Sequence, residues 1–397
     1  MYRWLFTMLL AISLIANQIS GFAASKEWSS DEKLAKKIKP AIVRVVSYYW
    51  ATWSIGNAQI DTYYGGYGSG AIINPDGYIV TNAHVVDTCT HSDAQKQVML
   101  ARQLEYLLEK HNIPKEYTAA LIKHKLLRIG EIHTVNAVIT PGGEELPFEL
   151  KEIGSPTGEK DGKDVAVIKV EGRNFPTVRL GDSDKIRTGE RIFVAGYPAA
   201  ADLGSAGSRK SVLEWSWSPG TISSDKKATA QGAPLIQVNA EGVTPGNSGG
   251  PVFTGEGRVI GLLTFSMNTA GGSSGSLYCM ASRTVQEFIR KAGANNEESL
   301  TDKAYLEGLE FYWQGYYSKA LIKFEEAGRL YPKHSEVQDL IAECQKNIAE
   351  GKDNRYWPDY YPYIAVILTV LIICIAYLVW ARHRKSKEIA LQIPDDH

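Results

Sequence analysis

The stretch Thr244-Pro245-Gly246-Asn247-Ser248-Gly249-Gly250-Pro251-Val252 surrounds one serine with glycines. A serine hydroxyl is a poor nucleophile until a base takes its proton, and an acyl transition state needs backbone N–H donors directed at the new oxyanion. The glycines allow a tight turn in which the amides of Gly246 and Ser248 point at one spot. The stretch therefore predicts Ser248 as a nucleophile beside an oxyanion hole formed by Gly246 and Ser248. A glycine-rich structural turn is the alternative.

The base and the orienting acid that such a serine requires are offered upstream. His84 stands just past a predicted strand in Val80-Thr81-Asn82-Ala83-His84-Val85-Val86, and Asp164 directly precedes the apolar run 165–170. The chain order His84, Asp164, Ser248 is the order of chymotrypsin-type proteases. Ser183 also follows Gly-Asp, but it lacks the following glycines, so we predict no catalytic role for it.

The region from about residue 42 to residue 282 is rich in short β-branched runs separated by Gly, Pro, Asn and Asp. The runs are 42–46, 70–73, 78–80, 165–170, 191–195, 234–239 and 258–265. Many short strands with such punctuation predict an all-β barrel or sandwich domain. Before it, Ser29 and Glu32 predict a capping box for a short helix that Pro40 ends.

One block, 92–128, interrupts the β pattern. It is rich in Leu, Lys, Glu and Gln, and Val98, Ala101, Leu104 and Leu108 have helical spacing. Pro114 predicts a division into two helices. The insert is either a surface decoration packed on the barrel or a lid or regulatory arm near the active site.

Several stretches resemble the HtrA/Deg group of trypsin-like serine proteases. They are Gly68-Ser69-Gly70-Ala71-Ile72-Ile73, Thr81-Asn82-Ala83-His84-Val85-Val86, Asp164-Val165-Ala166-Val167-Ile168-Lys169-Val170, Leu180-Gly181-Asp182-Ser183-Asp184-Lys185-Ile186 and 245–251. The resemblance covers roughly residues 30–292. It implies a mainly β chymotrypsin-like double β-barrel with the active site in the cleft between the barrels, and no cofactor.

Carried over to this sequence, the resemblance makes His84 the general base, Asp164 the residue that holds its tautomer and Ser248 the nucleophile, with Gly246 and Ser248 as the oxyanion hole. Gly242, six positions before the nucleophile, falls at the base of the primary substrate pocket in trypsin-like folds. Since no carboxylate stands there, we expect cleavage after small or medium apolar residues rather than after Lys or Arg, although Glu241 is adjacent.

The chain departs from that group in two respects. His84 and Asp164 are 80 positions apart (164 − 84), farther than is usual in that group, and the insert accounts for the additional residues.

In place of the PDZ domain that typically follows such a protease, residues 301–350 resemble one tetratricopeptide repeat with a capping helix at about 335–349. The matching positions are Ala304, Gly308, Phe311, Ala320, Phe324, Ala327 and Pro332. We expect this segment to lean on the protease-like domain or on a second copy of the chain. An ordinary helical hairpin used as a stalk is the alternative.

The two ends of the chain predict its compartment. Arg3, an apolar run over 4–16 and Gly21-Phe22-Ala23 indicate a signal peptide, 1–23, with an uncleaved anchor as the alternative. Residues 363–381 carry no formal charge and, at about 1.5 Å per residue, span about 28 Å, which predicts a transmembrane helix rather than a buried core helix. The basic tail 382–397 is then cytoplasmic, and everything between the two segments is extracytoplasmic.

Composition excludes several function classes. The 43 Lys+Arg and 44 Asp+Glu residues give a net charge of −1, and 44% of residues are hydrophobic. This argues against a disordered protein and against a nucleic-acid binder. The eight histidines are scattered and no CxxC or HExxH spacing occurs, so no metal site is expected. Whether Cys89 and Cys279 pair is left open.

Together these features predict a single-pass, membrane-anchored, extracytoplasmic serine endopeptidase that hydrolyses proteins or peptides through a His-Asp-Ser triad. Its role would be protein quality control or regulated processing, with a possible protein partner bound by the helical repeat. The alternative is a catalytically weak peptide-binding or sensor protein, against which an intact triad argues.

Overall fold

The computed structural model describes residues 27–113, 126–156, 159–198, 214–267, 276–354, 356 and 361–390. The predicted signal peptide, residues 114–125 of the predicted second helix of the insert and the last residues of the tail lie outside this part of the chain. The predicted helical end of the insert at residue 128 was wrong, because Leu127–Ile129 is a strand that pairs with residues 53–55.

The first seven strands form one antiparallel sheet. They are β1 (Ile42–Ile55), β2 (Ala58–Ile72), β3 (Tyr78–Thr81), β4 (Leu127–Ile129), β5 (His133–Ile139), β6 (Glu145–Ile153) and β7 (Ala166–Val170). The order β2-β3-β7-β6-β5-β1 closes into a six-stranded barrel because β2 also pairs with β1, and β4 adds to β1 outside the ring. The β1–β2 hairpin stays in register from Ile42 opposite Ala71 to Ile55 opposite Ala58.

The next seven strands form a second closed barrel. They are β8 (Arg179–Leu180), β9 (Arg191–Gly196), β10 (Ser216–Ala228), β11 (Pro234–Ala240), β12 (Pro251–Thr254), β13 (Arg258–Met267) and β14 (Ser276–Ala281). The ring runs β12-β9-β10-β11-β14-β13, with β13 pairing back to β12, and the short β8 lies parallel to β13. Two closed six-stranded antiparallel barrels confirm the predicted chymotrypsin-like double β-barrel.

The largest apolar core is shared by the two barrels. Ile168 of β7 and Phe193 of β9 belong to the same cluster of buried side chains, as does Phe288 of the helix α4 (Ser282–Lys291) that follows the second barrel. Burial of each such side chain contributes about 1.5–3 kcal/mol. This shared core fixes the two barrels against each other, and with them the cleft between them.

Three further helices belong to the region of the barrels. The first, α1 (Ser30–Ile38), begins with the predicted capping box of Ser29 and Glu32, which is confirmed. The short α2 (Ala83–Val86) follows β3. The insert begins with α3 (Asp93–Lys110), which is capped by Ser92 and Gln95.

The buried face of α3 differs from the predicted one. Leu100, Leu104 and Leu108 are buried, at intervals of four residues, against Tyr49 and Trp53 of the β1–β2 hairpin. Val98, which the spacing placed on the apolar face, is half exposed (50%). The hairpin supplies a flat apolar strip that three leucines suffice to cover, so Val98 is left on the solvent side.

The C-terminal helices are α5 (Leu300–Trp313), α6 (Tyr317–Leu330) and α7 (Val337–Ala349). α5 and α6 pack closely where Gly308 faces Phe324: a Cβ on Gly308 would lie 2.6 Å from the Phe324 ring. The tetratricopeptide likeness of the segment itself stays a prediction.

The helical segment also packs on the barrels. The buried Asp302 accepts hydrogen bonds from the amide (2.9 Å) and hydroxyl (2.6 Å) of Thr177, and Tyr331 lies in the shared core with its hydroxyl donating to Glu144 (2.6 Å). On the other side, Tyr305 donates to the Lys36 carbonyl of α1 (2.9 Å).

The last helix is α8 (Tyr361–Ala390). Within it, the 21 residues Ile364–Arg384, with a mean hydropathy of 2.9, are long and apolar enough to cross a membrane. That it does so is a proposal taken up below.

Candidate active site

The His84 imidazole and the Asp164 carboxylate are held together where β3 and β7 meet. His84 Nδ1 lies 2.7 Å from Asp164 Oδ2, and the His84 amide donates to Asp164 Oδ1 (3.0 Å). Because a carboxylate only accepts hydrogen bonds, Nδ1 carries the proton and Nε2 is left as an acceptor. The structure thus gives His84 the tautomer that a general base for a hydroxyl requires.

Asp164 is only 2% exposed, and hydrogen bonds from neighbouring side chains hold it in place. The Thr264 hydroxyl of β13 donates to Asp164 Oδ2, and Asn82 Nδ2 donates to the Asp164 carbonyl (2.7 Å). A buried carboxylate is costly unless it is hydrogen-bonded, and the donors of Thr264 and His84 offset that cost.

The His84 pKa reflects two opposed effects. Burial is the largest influence and lowers the pKa, but the hydrogen bond to Asp164, its charge and then the charge of Asp87 raise it, and the net pKa lies above the ordinary value. The imidazole is therefore a stronger base than a free histidine, and it becomes available as pH rises through the raised pKa.

Ser248 lines the same cavity as His84, a space of about 500 Å³ between the barrels. Its hydroxyl donates to the Thr264 carbonyl at 3.4 Å rather than to His84, which is a long hydrogen bond for a hydroxyl. The nucleophile is therefore loosely held at rest. In enzymes without substrate the hydrogen bond from the nucleophile to its base is often long or poorly aligned, and it tightens only in the complex.

The turn around Ser248 leaves two amides free. Gly246 has φ +100° and Gly249 φ +81°, both in the left-handed region that favours glycine. The amide of Asn247 donates to Thr244 and that of Gly249 to Leu263. Within the described ranges, the amides of Gly246 and Ser248 donate to no protein acceptor. The structure thus brings together His84, Asp164, Ser248 and the two expected oxyanion donors.

Glycines after Ser248 are required by close packing. A Cβ on Gly249 would lie 2.2 Å from the Ser69 carbonyl oxygen, and one on Gly250 would lie 2.3 Å from the Ala195 carbonyl oxygen. A side chain at either position would collide with backbone, so the turn that follows Ser248 requires glycine there.

Two residues that fix the site were given no role in the sequence analysis. The Ser69 hydroxyl donates to the Gly246 carbonyl (2.7 Å) and accepts from the Tyr197 amide (2.9 Å), while the Ser69 amide donates to the Ser248 carbonyl (2.8 Å). Thr264 contacts both Asp164 and Ser248, as described above. Ser69 lies between two glycines in one of the stretches that carried the resemblance, and this position could have indicated a role in the site. No feature of the sequence around Thr264 indicates such a role.

We expect Ser69→Ala to reduce kcat/KM roughly ten- to a hundredfold, because the oxyanion turn loses the hydroxyl that holds its carbonyl. The buried Gly246 carbonyl and Tyr197 amide would lose a partner, which costs about 1–3 kcal/mol of stability. Peptide hydrolysis and urea unfolding measure the two effects, with Ser54→Ala in β1 as the matched control. Full activity and unchanged unfolding in Ser69→Ala would contradict this role.

Gly242, expected at the base of the primary pocket, lies in an exposed turn after β11 with φ +72°. The nearest atom to a Cβ there would be Ser218 Oγ, at 3.7 Å, and Gly242 does not line the cavity that holds His84 and Ser248. Its role in specificity stays a prediction.

Ser183 is a structural residue. It is buried, its amide donates to the Ser282 hydroxyl (3.1 Å), and its own hydroxyl accepts from the Arg283 amide (3.3 Å) at the start of α4.

Cys89 and Cys279, whose pairing the sequence left open, are both free thiols.

Comparisons with known proteins agree with this architecture. Residues 68–262 match the family model of the trypsin-like peptidase domain. A probable periplasmic DegP-like serine endoprotease of Halomonas elongata is 30% identical over 232 residues, 57% of this chain and 36% of the relative. Those of Pseudomonas putida (28% over 210 residues, 52% and 31%) and Marinomonas sp. (24% over 234 residues, 58% and 36%) carry the same description. The chain spans about a third of the length of these relatives.

The double barrel and these matches agree on one class of domain: residues 68–262 are similar to the trypsin-like peptidase domain. More particularly, the barrel region is similar to proteins described as DegP-like serine endoproteases.

Proposed function

We propose that the chain hydrolyses peptide bonds of extracytoplasmic proteins with His84, Asp164 and Ser248 as its catalytic triad. The observation that carries this proposal is the 2.7 Å contact of His84 with Asp164 beside a cavity that Ser248 also lines. A substrate carbonyl bound in that cavity would meet the hydroxyl, the free Nε2 of the base and two free amides at one place.

The reaction follows from these positions. Ser248 Oγ attacks the carbonyl carbon while its proton passes to His84 Nε2, and the amides of Gly246 and Ser248 hold the resulting oxyanion. Collapse breaks the C–N bond, and the leaving amine takes the proton from Nε2. Water then attacks the acyl-enzyme by the same route, which regenerates the Ser248 hydroxyl and releases the carboxylic acid.

Asp164 and Thr264 act through His84. The Asp164 charge stabilises the imidazolium that forms during attack and keeps the proton on Nδ1. Thr264 holds Asp164 Oδ2 by its hydroxyl, and its carbonyl accepts the long hydrogen bond of the Ser248 hydroxyl, so one residue contacts both the acid and the nucleophile.

The second candidate is a peptide-binding or sensor protein with incidental hydrolysis. Two free amides and a correctly protonated histidine favour the peptidase, because peptide binding requires neither. Covalent labelling of the purified ectodomain by a serine-reactive fluorophosphonate probe separates the candidates: we expect rapid labelling at Ser248, and a folded protein that resists the probe would favour the binder.

We propose that α8 anchors the chain in the cell membrane with the barrels outside the cytoplasm. The 21-residue apolar stretch Ile364–Arg384 supports this, and the basic residues that follow the span favour a cytoplasmic tail. The DegP-like description of the relatives as periplasmic agrees with an extracytoplasmic barrel.

We expect a protease added outside spheroplasts to digest the barrels while an epitope placed after His397 stays protected until the membrane is opened. The control is a cytoplasmic protein that remains intact throughout. Digestion of the tail epitope in sealed spheroplasts would reverse the proposed topology.

We further propose that the helical segment 301–350 presents a surface for a protein partner in quality control or regulated processing. Its contacts through Asp302 and Tyr331 support this, because a partner bound to α6 would be held at a fixed distance from the cleft. On α6, Ile322 is 58% exposed and offers an apolar contact.

A further inference from the structure

The cavity that holds His84 and Ser248 has a wall that the reaction described above does not use. Besides the catalytic residues, it is lined by Tyr64 and Gly66 of β2, by Asp87 just after α2, and by Gln103 of α3. All four belong to the His84 side of the cleft.

This side of the cleft receives the leaving half of the substrate. The imidazole that takes the Ser248 proton must next deliver it to the leaving amine, so the amine and the residues that follow it lie against His84. The wall formed by β2, Asp87 and α3 is therefore where the chain after the scissile bond binds.

Asp87 is the one carboxylate among the residues lining this cavity, apart from any outside the described ranges. Its side chain is half-buried, and within that part of the chain no lysine or arginine forms an ion pair with it. Burial is the main cause that raises the Asp87 pKa, while His91, the Thr88 amide and His84 lower it. Partial burial of a carboxylate costs desolvation free energy that a cationic partner would offset. A cation supplied by a ligand would provide that partner.

The surroundings of Asp87 hold its wall in shape. The Tyr64 ring stacks on the Tyr49 ring with their centroids 5.5 Å apart, and its centroid lies 5.8 Å from that of the His91 ring. Burial is the main cause that raises the Tyr64 pKa, and the Asp87 charge raises it further. Arg102 of α3 acts on Tyr64 in the opposite direction and is itself exposed.

The backbone beside this wall leaves room for a peptide. Gly65 has φ +107°, and a Cβ there would lie 2.4 Å from the Ser47 carbonyl oxygen, so only glycine fits where β2 passes β1 at this point. At Gly66 a Cβ would meet nothing within 4 Å, so the cleft stays open at that point.

We propose that Asp87 is a specificity-determining residue that selects a lysine or arginine among the first residues after the scissile bond. The ammonium or guanidinium would lie between the Asp87 carboxylate and the Tyr64 hydroxyl, with Gln103 as a further hydrogen-bonding partner. This inference rests on the proposed peptidase function and adds a substrate class to it: chains with a basic residue just downstream of the cleaved bond.

The test uses the full-length protein purified in detergent and internally quenched peptides that carry Lys, norleucine or Glu at the first, second or third position after the cleaved bond. We expect the wild type to prefer Lys over Glu at one of these positions by roughly tenfold or more in kcat/KM. Asp87→Asn should reduce that ratio toward one, and Asp87→Lys should favour Glu.

The matched control is Asp61→Asn, which removes the same charge from an exposed position of β2, the strand that carries Tyr64, and should keep the wild-type ratio. A wild type without charge preference, or an unchanged ratio in folded Asp87→Asn protein, would overturn the inference. Equal losses on all peptides with a shifted pH profile would overturn it too, since Asp87 would then act only on His84. Fluorophosphonate labelling is read in parallel: its failure contradicts the peptidase function itself, whereas labelling without charge preference contradicts only the role of Asp87.

Discussion

Ser248→Ala is expected to abolish fluorophosphonate labelling and to reduce peptide hydrolysis by several orders of magnitude, at least about a thousandfold. The substitution removes one hydroxyl whose described hydrogen bond is the 3.4 Å contact with Thr264, so the fold should be unaffected. What remains without the nucleophile is the contribution of binding and of the oxyanion donors. His84→Ala should lose nearly as much, because triad members act as a unit.

Ser183→Ala is the matched control for the nucleophile. It removes the same atom from a buried serine that supports α4 and has no base, so labelling and turnover should stay close to wild type. Circular dichroism and thermal unfolding establish that each variant is folded. Wild-type labelling of folded Ser248→Ala protein would show that another residue is the nucleophile.

Asp164→Asn should reduce kcat by roughly ten-thousandfold with little change in the fold. An amide can donate to His84 Nδ1, which places the imidazole proton on Nε2 and leaves Ser248 without a base. Loss of the carboxylate also removes the largest influence that raises the His84 pKa and leaves only the weaker one of Asp87, while burial continues to lower it. The residual activity should therefore have its acidic limb at lower pH than the wild type, since less acid is needed to keep His84 neutral.

The measurement for Asp164→Asn is the pH dependence of kcat/KM together with NMR titration of His84. Asp184→Asn is a control, because Asp184 is exposed and pairs with Arg283 at the surface. An acidic limb that moves to higher pH, or an activity within tenfold of wild type, would remove Asp164 from its proposed role.

The sequence predicted the barrels because their strands carry β-branched runs between turn residues. The runs 42–46 and 234–239 became β1 and β11, each longer than predicted. The far half of the β1–β2 hairpin was missed because Tyr48, Tyr49, Trp50 and Trp53 are aromatic rather than β-branched. Aromatic residues favour strands as well, and these four pair with β2, while Tyr49 and Trp53 are also buried under α3.

The nucleophile, base and acid could be predicted because each stands in a distinctive local stretch. The residues that hold them could not. Ser69 meets Gly246 across 177 positions, and Thr264 meets Asp164 across 100. Such contacts depend on how two barrels pack, which no single stretch specifies. The same holds for Asp87, whose place in the cavity depends on a hairpin and a helix that flank it from distant parts of the chain.

The long hairpin and the insert helix α3 depend on each other. A two-stranded ribbon is marginal in water, and this one would expose Tyr49, Ala51 and Trp53 if Leu100, Leu104 and Leu108 did not cover them. The helix alone would present the same leucines to solvent. Either the long hairpin or the helix alone would expose apolar side chains to water. We therefore expect related proteins to have both elements or neither. Relatives with a short β1–β2 hairpin should lack the helix, and a protein engineered to lose one should aggregate unless it loses both.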